Sequence, residues 1–162
     1  MAGAVYDGLL DGVLELMVRK KEMAARIKSL TLEQAGFLAP EQAEKLLELV
    51  DKKQACIDEI GRIDGELQQL KEKAGVVDGV PEQEGVDRPV FQKRERIEKM
   101  RREIDLILRE AWHLDEQNRR RLEAEFCRIK SGLKSLQAGR KTFTAYQGAA
   151  APARGCFIDK KK

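Results

Sequence analysis

The sequence predicts an all-α fold: a three-helix antiparallel coiled-coil bundle with a very long third helix and a largely irregular C-terminal tail. Three observations carry this. Charged residues make up 36% of the chain and aromatics 5%, which suits solvated helices with a narrow apolar stripe and leaves few of the residues that favour strands. Apolar residues recur in alternating steps of three and four, the seam of helices packed at a shallow angle. Glycine and proline cluster at a few points that separate three long periodic segments.

The first helix is predicted from about Val5 to Ser29. Leu9, Val13, Leu16, Met23, Ile27 and Leu30 form its stripe, with Lys20 at the one polar position. Gly8 and Gly12 weaken its first turns, each by about 1 kcal/mol relative to alanine. A fresh start follows at Ser29–Gln34, where Thr31 can cap and Gln34 stands three residues on to complete a capping box. Gly36 and the Ala39-Pro40 step end that short segment. Pro40 suits the first turn of a second helix, followed by acidic Glu41 and Glu44.

The second helix is predicted from Pro40 to Lys73, with a stripe of Leu46, Val50, Ile57, Ile60, Ile63, Leu67 and Leu70, widened by Leu47. Gly61 and Gly65 within it admit a bend, a close helix contact or chance. Residues 74–88 (AGVVDGVPEQEGVDR) have no period and read as a connector long enough for the chain to reverse. The third helix is predicted from Pro89 to Gln137. Ile97, Met100, Ile104, Ile107, Ala111, Leu114 and Asn118 keep strict heptad spacing, and the stripe resumes one residue out of phase at Leu122, Phe126, Ile129, Leu133 and Leu136. Such a step locally unwinds a supercoil and divides the helix in two. At about 1.5 Å per residue this helix spans roughly 70 Å and outruns its partners. The expected organisation is a bundle over 1–137 and a flexible tail over 138–162, the tail carrying Phe143, Tyr146 and the Cys156-Phe157-Ile158 cluster.

Several function classes are disfavoured. The net charge of +3 is the small difference between 31 basic and 28 acidic residues, unlike the one-sided excess of nucleic-acid binders. Apolar runs are too short for membrane insertion, and the N-terminal residues lack signal-peptide character, so a cytoplasmic protein is expected. Cys56, Cys127 and Cys156 are far apart with no CxxC, and His113 is the only histidine. Reduced thiols follow, with no zinc site. No phosphate-binding glycine loop and no HExxH motif is present, and carboxylate pairs at helical spacing in such a composition read as a solvated face. The expectation is a non-enzyme with no cofactor, no metal and no catalytic residue.

The candidate chemistry is therefore partner binding. Asn118 sits at a seam position between Leu114 and Leu122, either fixing helix register at some cost in stability or anchoring an incoming helix. Arg119-Arg120-Arg121, with Arg128 and Lys130, reads as solvated charge or as a patch for an acidic partner or a phosphate backbone. The stripe Leu122, Phe126, Ile129, Leu133 and Leu136 is core in part. Because the first two helices are shorter than the third, apolar surface is left over at one end, and an exposed seam of that kind is a helix-docking site or a dimer interface. Phe143 and Tyr146 extend the candidate surface.

Two segments carry a family resemblance. EKLLELVDKKQACIDEIGRIDGELQQLKEK (Glu44–Lys73) resembles the second helix of the FlgN-type flagellar export chaperones, above all in the rhythm from Leu46 to Asp64. LDEQNRRRLEAEF (Leu114–Phe126) is similar to that family's third-helix segment, with Asn118 at the asparagine. The endings GRKTFTAYQG and GCFIDKKK resemble the family's tail, whereas the connector at 74–88 departs from it. The resemblance implies an escort that binds the helical C-terminal region of hook-associated flagellar proteins and brings them to the flagellar type III export apparatus, with client binding on the third-helix stripe and the tail. The alternative is a coiled-coil scaffold or self-assembling homodimer with no flagellar role. A nucleic-acid adaptor, resting on the arginine run, is a third and weaker reading.

Overall fold

The computed structural model describes residues 2–73 and 88–149. Helix α1 runs Ala2–Gln34, a 3₁₀ turn follows at Pro40–Gln42, and helices α2 (Ala43–Lys73) and α3 (Arg88–Ala149) complete the described chain. The chain divides into two units, Met1–Leu122 and Glu123–Lys162. The predicted connector up to residue 87 and the tail from residue 150 lie outside the described residues.

The first unit is a three-helix bundle built on three ladders of buried residues, each with a step of seven. Helix α1 buries Leu10, Met17, Ala24 and Thr31; α2 buries Leu49, Cys56 and Ile63; α3 buries Ile97, Ile104, Ala111 and Asn118. A step of seven returns to nearly the same helix face, drifting by only about 20°. The α1 and α3 ladders keep one sequence offset, the 87 residues that separate Thr31 from Asn118, so these helices run parallel and in register. Helix α2 runs against both, since Lys20 meets Asp64 whereas Gln34 meets Lys53. Two apolar clusters fill the space between: Met17, Ala24 and Ile104, and Ile27, Leu30, Leu49, Cys56 and Ala111.

Ion pairs line the seams with the same period. Lys21 pairs with Glu103 and Lys28 with Glu110, both at 2.5 Å and both across an offset of 82 residues. Lys93 lies 2.7 Å from both Asp7 and Asp11. The hydrogen bond from Lys21 holds the Glu103 carboxyl below its ordinary range, and Asp11 and Asp7 hold the Lys93 ammonium above its own. Exposed pairs of this kind add little stability. Repeated at a fixed offset, they discriminate against a shifted register.

The structure corrects four expectations. No break occurs at Ser29: α1 continues to Gln34. Thr31, expected to cap a new segment, is 1% exposed, and its Oγ1 donates to the Ile27 carbonyl at 2.8 Å, the back-bond that seats a hydroxyl inside a helix. In α2 the expected Ile63 is buried, but Leu49 and Cys56 are buried where Val50 and Ile57 were expected, and those two are exposed. The first turn of that segment is 3₁₀, with Gln42 N–H donating to the Ala39 carbonyl at 3.0 Å, so α2 proper begins at Ala43. Finally, α3 does not stop at Gln137 but reaches Ala149. Residues 138–149 contain no proline, and a glycine in a helix costs only about 1 kcal/mol. Thr142 and Thr144 donate back to the Ala138 and Arg140 carbonyls at 2.9 Å. The two α2 glycines mark no close contact, since a Cβ added at Gly61 or Gly65 would meet nothing within 4 Å.

Candidate partner-binding site

Asn118 is the last rung of the α3 ladder, and its amide is already in use. Its Nδ2 donates to the Thr31 carbonyl at 2.8 Å, in the last turn of α1, where carbonyls run short of intrahelical donors. The neighbouring Ala35 N–H turns to the Leu32 carbonyl at 3.2 Å. Beside this bond, Lys53 Nζ donates to Gln34 Oε1 at 3.0 Å and also pairs with Asp115. Thr31, Gln34, Lys53, Asp115 and Asn118 thus form a polar layer that draws on all three helices. Among the described residues no buried side-chain nitrogen or oxygen lacks a partner. Asn118 is 7% exposed and leaves the candidate surface for this layer. The sequence does carry a signal for Thr31, which continues the heptad of Leu10, Met17 and Ala24.

Replacing Asn118 with alanine is expected to lower stability by about 1–3 kcal/mol, because it leaves a buried carbonyl short of a donor. Chemical denaturation checks this. An unchanged midpoint would mean that the Thr31 carbonyl finds another donor.

The other candidate residues lie differently. Leu122, the last residue of the first unit, is 38% exposed. In the second unit every residue from Phe126 to Gly148 is exposed, including Phe126, Ile129, Leu133, Leu136, Phe143 and Tyr146. At about 100° per residue, the five from Phe126 to Phe143 fall within an arc of about 100°, and Tyr146 stands roughly 60° beyond its edge. Because α3 continues to Ala149, Phe143 lies on the same stripe as Leu136, seven residues earlier. The heptad position between them is Arg140.

The two flanks of this seam differ. Lys130, Lys134 and Lys141 cluster on one side, within an arc of about 40°. On the other side lie Gly132 and Gly139, where an added Cβ would meet nothing within 4 Å. From Phe126 to Ala149 the sequence contains Arg128, Lys130, Lys134, Arg140 and Lys141 and no Asp or Glu. Arg128 pairs back to Glu125 at 3.0 Å. The other four have no ion-pair partner among the described residues.

The arginine run is exposed. Arg119 and Arg120 both engage Glu116, at 3.0 and 3.2 Å, and the hydrogen bond from Arg119 leads in holding that carboxyl below its ordinary range. His113 Nε2 lies 3.1 Å from Gln117 Nε2 on an exposed face. Among the described residues no group of three His, Cys, Asp or Glu side chains could hold a metal ion. No helix among them is long and apolar enough to cross a membrane.

A family described as FlgN protein matches residues 1–154. The chain belongs to the FlgN family. Members of the FlgN family are flagellar export chaperones that act on hook-associated proteins. The limits of the match take in both units. No curated protein and no solved structure matches the chain.

Proposed function

We propose that this FlgN-family protein is a cytoplasmic chaperone that binds the C-terminal helical region of hook-associated flagellar proteins and brings them to the type III export apparatus. Binding is helix-in-groove: the client lays an apolar face on the seam from Phe126 to Phe143, with Tyr146 at its edge. The observation that carries this reading is the seam itself, which keeps coiled-coil spacing while every residue in it is exposed. A seam of that period is suited to packing against another helix. The role is one of recognition without catalysis.

The test uses the full chain and the C-terminal helical segment of a hook-associated protein from the same genome. Co-purification and titration are expected to give a saturable complex, with the segment gaining helicity on binding. A segment that fails to bind at tens of micromolar overturns the assignment.

A further inference from the structure

We infer that the helix received by this seam is acidic, with carboxylates against Lys130, Lys134 and Lys141 and one carboxylate within its own seam facing Arg140. The inference rests on the reading of the second unit as a docking surface and specifies the chemistry of the occupant. In the first unit the seams are flanked by completed interhelical pairs: Arg19 with Glu59, Lys20 with Asp64, Lys21 with Glu103 and Lys28 with Glu110. The second unit has the same heptad seam and the same kind of flanking cations, but no carboxylate between Phe126 and Ala149. The missing half of the pattern must come from the partner. Charges at flanking positions set partner choice in such packings, and a polar residue at a core position sets register. Arg140 occupies such a core position.

The same charge pattern disfavours the other occupants. A second copy pairing through this stretch would set lysines and Arg140 against one another. An anionic membrane surface favours a broad apolar face with cations on the polar side, whereas this stripe is a narrow coiled-coil seam with Arg140 on its centre line. A nucleic acid would use the cations and leave five apolar side chains without a role. Gly132 and Gly139, opposite the lysine flank, let a partner backbone approach closely on that side.

Two synthetic helices with an identical leucine seam, one flanked by glutamates and one by lysines, test this against the full chain by fluorescence anisotropy. The glutamate-flanked helix is expected to bind at least about tenfold more tightly, with the difference shrinking as salt rises. The variant Lys130→Glu/Lys134→Glu/Lys141→Glu, at exposed positions and checked for unchanged helicity, is expected to reverse the preference. Arg140→Leu is expected to weaken binding of a helix carrying glutamate at the facing core position and to strengthen binding of the all-leucine one. Equal affinities, a preference that survives charge reversal, no binding of either helix, self-association through this stretch, or tighter binding to phosphatidylglycerol vesicles or a single-stranded oligonucleotide would each overturn the inference. A glutamate-flanked helix that binds while the hook-associated segment does not would leave the inference standing and remove the flagellar client. A hook-associated segment that binds with no dependence on salt or charge would do the reverse.

Discussion

Phe126→Asp combined with Leu133→Asp is expected to weaken capture of the hook-associated segment by at least about a hundredfold. Fully burying a leucine or phenylalanine side chain is worth about 1.5–3 kcal/mol, and each 1.4 kcal/mol is about tenfold in affinity. Losing two such contacts, and setting two carboxylates against an apolar face, therefore removes two or more powers of ten. The fold should not notice. Phe126 and Leu133 are 67% and 56% exposed, and neither belongs to the apolar clusters of the bundle. The informative measurement is a pair: titration with the client segment, and thermal unfolding followed by circular dichroism. Binding lost with the melting temperature retained supports the seam as the docking surface. Undiminished binding by a variant that remains helical would move the client to another face.

How far the bundle could be read from sequence depended on how clearly one phase of each helix stands out in its apolar pattern. In α3 the expected positions from Ile97 to Asn118 alternate between buried and half-buried without exception. Helix α1 packs against both of its partners and buries a broader face. Of the expected stripe Leu16, Ile27 and Leu30 are buried, and beside them lies a second ladder, Leu10, Met17, Ala24 and Thr31, with a small and a hydroxyl-bearing residue that hydropathy alone does not pick out. In α2 the sequence offers two phases side by side: Leu46, Leu47, Leu49 and Val50 at one point, Cys56 and Ile57 at another. The phase that is buried passes through Lys53, which counts against it on hydropathy. Yet the lysine stem can lie along the core while its ammonium reaches Gln34 and Asp115, as long cationic side chains often do. The choice between phases is made by contacts with other helices and is not written in α2 itself.

The exposed seam was legible for the complementary reason. A one-residue phase shift after Asn118 is visible in the sequence, and it falls where the α1 ladder ends at Thr31 and where the first unit ends at Leu122. The end of α3 was harder to place. The composition of 138–162 is rich in glycine and alanine with one proline, but that proline is Pro152, beyond the described helix. Averaging over the whole segment hid twelve residues able to continue the helix, and with them the placement of Phe143 on the stripe.

The choice of phase in α2 yields the largest expected effect on stability. Leu49→Ala should cost about 2–5 kcal/mol, the range for deleting a buried leucine side chain that its surroundings cannot fully replace. Leu49 is 1% exposed and lies in the cluster with Ile27, Leu30, Cys56 and Ala111, so the cavity would open where all three helices meet. Leu47→Ala, the same chemical change two residues earlier, should alter stability by no more than about 0.5 kcal/mol, because Leu47 is 62% exposed. Denaturant unfolding of the two variants side by side decides the matter, since both remove the same atoms and differ only in where those atoms lie. Native domains are stable by about 5–15 kcal/mol, so the Leu49 variant should unfold at a visibly lower denaturant concentration, while the Leu47 variant should overlay the parent curve. Equal losses at both positions would require α2 to present both faces to neighbours. A larger loss at Leu47 would turn the helix by about 200° and break the alignment of Leu49, Cys56 and Ile63 with the ladders of α1 and α3.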